Sequence, residues 1–374
     1  MVTLDFYLCR FTMESFDILF AGHLHGFGGA EKSMIKVANA LSEKGFKVAI
    51  VTFDVNNQKF EINRNVRLYF IETFAAHGLI RVFERYRKAA LLLSQINVKL
   101  VISFWFQLSI IFFFLSFCFR YKVYYSERGD PTDKEYSGLN GFIRTVCFPF
   151  MNGFIFQTKG AQLCFSKRIQ LKSIVIPNPV YIGYDDYSLP EERKDVIVSV
   201  GRLHEQKNFQ LLINAFSKIA TRYHSYMLHI YGEGPLKDSL IQLVNSLDLQ
   251  DRVVFKGSVS NIYECIVDDS IFVLPSLFEG MPNALMEAMA LGIPSISVDC
   301  PPGGPAELIK NGVNGFLIEN NNQEELIQVL SYVIQHKDKA DIVGRNAKQI
   351  CYTHSIDSIM KQWELFIVNE LSAY

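Results

Sequence analysis

Apolar residues fall along this chain in short runs separated by longer stretches of helical period. Residues 16–21 are one such run. Residues 30–44 then place Met34, Val37, Ala38 and Leu41 on a single helical face. Gly45 stops that helix, and residues 47–53 read as a buried strand closing on Asp54. The rhythm continues with a helix over 79–96 and strands near 66–71, 98–104, 121–125 and 153–157. A polar, turn-rich stretch, 181–192, interrupts it. The pattern then restarts with strands at 195–200, 227–231, 252–257, 270–274 and 295–298, and a turn and strand at 312–318. Helices are expected at 209–222, from 235 to 247, after 282, and at 323–336, 337–352 and 355–371. Strands alternating with helices predict an α/β architecture of two doubly wound, parallel-sheet domains.

Pro177 and Pro179 force extended backbone over 174–180, so the boundary is placed there. The expected division is an N-terminal extension, 1–15, a first domain, 16–180, a second, 181–354, and a terminal helix, 355–374. The extension carries Asp5 and Glu14, has its basic residue late and lacks a small-residue cleavage site, so it does not read as a signal peptide. Met13 is an alternative start.

Two stretches bear on membranes. Residues 100–119 hold no charge over a length that would span a bilayer. Their β-branched beginning, Ser103, and the later Gln107, Ser109 and Ser116 instead fit a buried strand followed by a buried helix, with a membrane-touching helix as the alternative. Residues 79–96 set Arg81, Arg85, Arg87 and Lys88 between apolar positions. That pattern suits a solvated helix face or a surface for anionic lipid.

Composition narrows the class. The 374 residues are 49% hydrophobic and 13% aromatic, which excludes disorder. With 37 basic against 38 acidic residues the chain has no basic excess for a nucleic-acid partner. Seven scattered cysteines form no Cys-x-x-Cys pair and read as reduced thiols of a cytosolic protein.

The candidate chemistry centres on residues 276–294, Ser-Leu-Phe-Glu-Gly-Met-Pro-Asn-Ala-Leu-Met-Glu-Ala-Met-Ala-Leu-Gly-Ile-Pro. Gly280 and Pro282 make a turn, Pro282 fits the first helical position, and Gly292 with Pro294 ends the helix. Glu279 is then on the loop and Glu287 one turn into the helix. The N–H groups of Asn283, Ala284 and Leu285 at the helix start favour an anion. A phosphate with a polyol beside it suits that arrangement, since carboxylates accept hydrogen bonds from hydroxyls. Arg202 and Lys207 follow a strand-ending glycine, Gly201, and form a cation pair suited to phosphate oxygens. Gly232 and Gly234 suit the close approach of a flat ligand. Near the N-terminus, Gly26, Gly28 and Asp54 begin a dinucleotide fingerprint, but Glu31 stands where its third glycine belongs.

The Glu279 to Glu287 spacing and its flanks resemble the signature of retaining family 4 glycosyltransferases, of GT-B fold. The Gly-Gly-Ala-Glu turn at Gly28 and Gly29 resembles their first loop, which faces the donor phosphate and the acceptor. Ser-Glu-Arg-Gly-Asp-Pro, from Ser126, resembles an element of a subset that builds bacterial surface glycans, such as capsule, lipopolysaccharide or O-antigen. Other members carry a histidine there, so Glu127 and Arg128 either orient an acceptor hydroxyl or pair with each other. The resemblance implies transfer of a hexose or N-acetylhexosamine from a nucleoside diphosphate sugar, with uridine diphosphate favoured and guanosine diphosphate mannose as the alternative. It makes Arg202, Lys207 and Glu279 the catalytic candidates. Gly280, Asn283, Ala284, Leu285 and Glu287 become donor-binding, with the base near Gly232 and Lys256. It also implies a terminal helix that crosses back to the first domain, a lipid-linked saccharide acceptor at the cytoplasmic face of the membrane, and no metal or other cofactor. A GT-B epimerase, a phosphorylase and a non-catalytic sugar-nucleotide binder are the competing readings.

Overall fold

The structure, a computed structural model, describes residues 13–24, 29–53, 61–74, 78–132 and 136–373. Its first sheet has seven strands: β1 (Glu14–Gly22), β2 (Val48–Thr52), β3 (Arg67–Phe70), β4 (Ile96–Ser103), β5 (Lys122–Ser126), β6 (Gly153–Phe156) and β7 (Ser173–Val175). Their order is β3-β2-β1-β4-β5-β6-β7, and β1 pairs in parallel with both β2 and β4. The helices of this part are α1 (Gly29–Glu43), α2 (Gly78–Leu93), α3 (Phe106–Leu115), α4 (Gly138–Cys147), α5 (Lys159–Leu163) and α6 (Lys167–Gln170).

The second sheet contains β8 (Lys194–Val200), β9 (Met227–Tyr231), β10 (Val253–Gly257), β11 (Asp269–Leu274), β12 (Ser295–Asp299) and β13 (Phe316–Glu319), in the order β10-β9-β8-β11-β12-β13. Renumbered from its own first strand this is 3-2-1-4-5-6, the dinucleotide-fold order. Around it run α7 (Phe209–Ala220), α8 (Lys237–Ser246), α9 (Ile262–Ile266), α10 (Asn283–Ala290), α11 (Gly304–Leu308), α12 (Gln323–Gln335), α13 (Lys337–Ala347), α14 (Ile350–Thr353) and α15 (Ile356–Ser372). Two parallel, Rossmann-like sheets with helices are what the strand-helix rhythm predicts.

By contacts the chain divides into two compact units. One holds the described residues of Met1–Ser126 with Thr145–Phe154 and Glu364–Tyr374, and the other holds Glu127–Arg144 and Ile155–Trp363. In the first unit, Leu19, Val51, Val101, Leu108 and Phe112 are buried in one cluster. The end of α15 belongs to this unit, where Glu370 pairs with Lys122 at 2.9 Å and the Phe366 ring meets Tyr124 edge-on. In the second unit one cluster gathers Leu212, Phe216, Ile230 and Leu330, and another gathers Phe272, Leu285, Met289 and Ile293.

The uncharged stretch 100–119 resolves into the end of β4, a turn and α3. Leu108, Ile111, Phe112 and Leu115 of that helix are buried. No helix among the described residues is long and apolar enough to cross a membrane. Other differences from the sequence pattern are local. The stretch 337–352 is two helices, not one. The break falls at Lys348, whose buried ammonium turns away to donate to the Tyr187 carbonyl at 2.8 Å. The extended run 174–180 is strand only to Val175, because Pro177 and Pro179 have no N–H to give a ladder. Arg85 does not belong to the exposed basic face of α2: it is 5% exposed, with its guanidinium over the Phe53 ring.

Candidate functional site

In the second unit the strand order turns back between β8 and β11. The chain leaves β8 to one side of the sheet and β11 to the other, so their carboxyl ends border a crevice where such sheets bind ligands. The two loops that border it are Gly201 to Asn208 and Pro275 to Pro282, and they carry the catalytic candidates Arg202, Lys207 and Glu279 together with Gly280.

The first loop turns sharply. Glu205–Lys207 form one 3-10 turn, and Asn208 follows in left-handed backbone, φ 48°, before α7 begins. This reversal brings the Lys207 side chain back along Gly201. Its ammonium bonds to Glu279 Oε1. Ser276 Oγ donates to the same oxygen at 2.7 Å, and Glu279 N–H donates to the Pro301 carbonyl at 2.9 Å. Leu277 N–H meets the Gln206 carbonyl at 2.8 Å, and Gln206 Nε2 meets the Phe278 carbonyl at 3.0 Å. The two loops are therefore fastened to each other through both backbone and side chains, and Glu279 is only 6% exposed. Arg202 stands exposed on the same loop as Lys207.

The second loop leads into α10. Pro282 is the residue before the helix and not its first position: φ −77° with ψ 104° is extended, and its carbonyl accepts from Met286 N–H. Asn283, Ala284 and Leu285 therefore supply the first-turn N–H groups, with no side chain capping them. Glu287, one turn on, accepts from Tyr263 Oη at 3.3 Å. Burial pushes the Tyr263 phenol well above its usual range, and the Glu287 charge adds to the shift. Gly280 is hemmed in by Gln157 Oε1 and the carbonyls of Arg128 and Gly129, and an added Cβ on Gly304 would overlap the Gly280 carbonyl. The backbone thus fixes this loop on both sides.

Gly232 has φ 137°, and a Cβ there would overlap the Gly201 carbonyl. Its missing side chain serves the contact between the ends of β8 and β9. Lys256 is exposed on edge strand β10, where the pairing register with β9 breaks between Phe255 and Gly257. In the first unit, Gly29 opens α1 beyond β1, at the point where that sheet also reverses. Gly28, and the Gly26 and Asp54 of the dinucleotide alternative, lie outside the described residues.

Glu127 is buried, and Arg128 is half-buried with its guanidinium turned inward. Glu127 Oε1 accepts from the N–H groups of Arg128 and Gly129, each at 3.1 Å. Arg128 Nη1 donates to Asn178 Oδ1 at 3.1 Å, and its guanidinium lies over the Trp363 ring. Burial pulls the guanidinium down to about 9, against the pull of Tyr181 and Glu127. Cys300, 1% exposed, is pushed up to about 12 by burial, with the Glu279 charge adding to it. Glu307 accepts the Gly160 N–H at 2.8 Å, at the start of α5.

Sequence reasoning missed Ser276, Tyr263, Gln157 and Asn178. Ser276 had a signal, since a serine three residues ahead of a buried glutamate can reach it. The others meet their partners only through the fold.

Residues 185–350 match the family described as Glycosyl transferases group 1. The chain is 24% identical over 344 residues to an uncharacterized glycosyltransferase of Haemophilus influenzae, covering 90% of this chain and 95% of that one. It is also 24% identical, over 90% of this chain and 94% of the relative, to the Campylobacter jejuni GalNAc-alpha-(1->4)-GalNAc-alpha-(1->3)-diNAcBac-PP-undecaprenol alpha-1,4-N-acetyl-D-galactosaminyltransferase. Among solved structures, Anabaena HepE in complex with UDP-glucose superposes with a TM-score of 0.77 at 19% identity, covering 96% of this chain and 100% of that one. Residues 185–350 are thus similar to the Glycosyl transferases group 1 domain, in a chain with the GT-B fold of its glycosyltransferase neighbours.

Proposed function

We propose that the protein transfers a hexose or N-acetylhexosamine from a nucleoside diphosphate sugar, with uridine diphosphate favoured, to a lipid-linked saccharide acceptor, keeping the anomeric configuration. The product would enter a surface polysaccharide such as a capsule or O-antigen. The observation that carries this reading is the bond between Lys207 and Glu279 across the β8/β11 crevice, beside the uncapped start of α10. A cation, a carboxylate and a row of N–H groups meet there, which is what a diphosphate joined to a sugar needs.

The costly step is departure of the diphosphate while the sugar gains positive character. Arg202, Lys207 and the N–H groups of Asn283, Ala284 and Leu285 take up the growing negative charge. One donor aimed at such charge is worth about 10²–10³ in rate. Lys207 then shares its ammonium between Glu279 and the phosphate, and Glu279 receives hydroxyls of the donor sugar. Glu287, held by Tyr263, receives the ribose hydroxyls. In this reading protein cations fill the place a metal would take, and no cofactor is required.

The acceptor places the protein at the inner face of the cytoplasmic membrane as a peripheral enzyme. In support, α2 presents Ile80, Phe83 and Leu91 with Arg87 between them, and its neighbour α3 carries exposed Phe114 near its end, with exposed Phe117 and Arg120 just beyond it. Large apolar side chains interleaved with arginine suit an anionic bilayer surface. The deciding experiment is a thermal-shift screen against sugar nucleotides, followed by NMR of the product from the donor that stabilises most. A product with the donor's anomeric configuration supports the reading. Inversion, or release of free sugar phosphate, contradicts it.

A further inference from the structure

The candidate loop is braced from behind by a side chain that the sequence did not single out. Asn178 is 5% exposed and lies between Pro177 and Pro179. Its Oδ1 accepts from Gln157 Nε2 at 2.6 Å and from Arg128 Nη1 at 3.1 Å. Its Nδ2 donates to Asn283 Oδ1 at 2.8 Å and approaches the Met281 carbonyl at 3.4 Å. Its backbone N–H points at the Met281 sulfur, 3.1 Å away.

The chemistry of the partners leaves one orientation for each amide. A guanidinium only donates, so the end of Asn178 that faces Arg128 must be its oxygen. Its amino end then faces Asn283, and the end of Asn283 turned to it must be an oxygen too. The Asn283 amino group is left for another acceptor. Asn283 is also the first residue of α10, next to the N–H groups at the helix start.

We propose that Asn178 is a positioning residue which, through the Arg128–Asn178–Asn283 relay, holds the Asn283 amide with its donor end toward the donor diphosphate. Arg128 then acts at second hand: its fixed donor character sets the direction of both amides. This gives the inward-turned arginine a task on the donor side, in place of orienting an acceptor. The inference rests on the proposed binding of a nucleoside diphosphate at α10.

Asn178→Asp tests it. The new carboxylate still accepts from Arg128 and Gln157, gives up the long contact to the Met281 carbonyl, and now presents only oxygen to Asn283. The Asn283 amide must turn over and aim its carbonyl at the phosphate. Losing one hydrogen bond to a charged group weakens binding roughly 10- to 100-fold. A carboxylate at 178 also adds distant negative charge, so the same substitution is made in an Asn283→Ala background. The relay predicts that Asn178→Asp raises the Kd for UDP by that factor in the wild-type background and changes it little where the 283 amide is gone. An equal weakening in both backgrounds would mean a charge effect only and would overturn the relay. Asn283→Asp supplies a second reading at a half-buried position that does not depend on the fold of the brace. It keeps the bond from Asn178 and removes the donor, so it should weaken UDP to a similar extent. If both aspartate variants bind UDP like the wild type, the relay is wrong while the sugar-nucleotide reading stands. If the wild-type protein binds no nucleoside diphosphate at all, both fall.

Discussion

Lys207 and Glu279, 72 residues apart in sequence, form a largely buried ion pair that ties the loop after β8 to the loop after β11. The pair explains why a cation and a carboxylate can wait in one crevice. In the proposed reading each satisfies the other until a diphosphate and a sugar arrive. Removing one partner strands the other, which costs about 3–5 kcal/mol for a buried pair. Lys207→Met should therefore both abolish transfer and lower the melting temperature. Adding Glu279→Gln should restore much of the stability and none of the activity. Equal destabilisation in the single and double variants would show that the two side chains do not depend on each other.

The proposed function assigns Tyr263 and Glu287 to donor binding and not to the chemical step. Glu287→Gln should raise the donor KM roughly tenfold and lower kcat much less, as expected when a ground-state hydrogen bond is lost. Tyr263→Phe should move KM in the same direction by a smaller factor, because it loosens Glu287 without removing it. Steady-state kinetics against donor concentration check both. A fall in kcat at unchanged KM would put Glu287 in the chemical step.

Asp269, the first residue of β11, is 2% exposed, and burial holds its carboxyl up at about 7 from the ordinary 3.8, against the pull of Lys194, Lys256 and Arg193. The folded value lies above the unfolded one, so the native state binds this proton more tightly. The stabilisation is therefore full below about pH 4, declines between about pH 4 and pH 7, and is lost above about pH 7. It amounts to at most a few kcal/mol, on the order of 1.4 per pKa unit. The neutral amide of an Asp269→Asn variant mimics the protonated form at every pH. Melting curves should show that variant gaining on the wild type as pH rises from about 5 to about 8. Parallel curves would mean that the aspartate is ionised throughout.

The apolar stripe on α2 and the end of α3 leads to a further expectation. Phe83 is 69% exposed and Phe117 is 73% exposed. The wild-type protein should float with vesicles containing phosphatidylglycerol and stay behind with neutral ones. Phe83→Glu combined with Phe117→Glu should stay behind in both cases while still using a soluble acceptor. Equal flotation of the variant would remove this surface from membrane contact.

Much of the fold was legible because its signals are local. The period of α1, the strand runs and the Gly292–Pro294 stop after α10 each need only a few neighbouring residues. The loops that carry Lys207 and Glu279 were legible for a related reason: Gly201 marks where one strand releases the chain, and the Gly280–Pro282 turn ahead of a helical pattern marks the other. What joins those loops was not legible. Asn178 and Asn283 are 105 residues apart, and Tyr263 and Glu287 sit on separate helices. No periodicity encodes such meetings. They follow from a strand order that only the folded sheet reveals. Glu307 shows the same limit, since its carboxylate meets the Gly160 N–H of α5, 147 residues away in sequence.

The most direct test is titration of the full-length protein with UDP and UDP-sugars by calorimetry, in parallel with Lys207→Met and Arg202→Met. Binding by the wild type, weakened at least roughly tenfold in each variant, is the expected result, because each removes one charged contact to the diphosphate. Wild-type and variant proteins that bind alike would place the diphosphate elsewhere and contradict the assignment of this crevice.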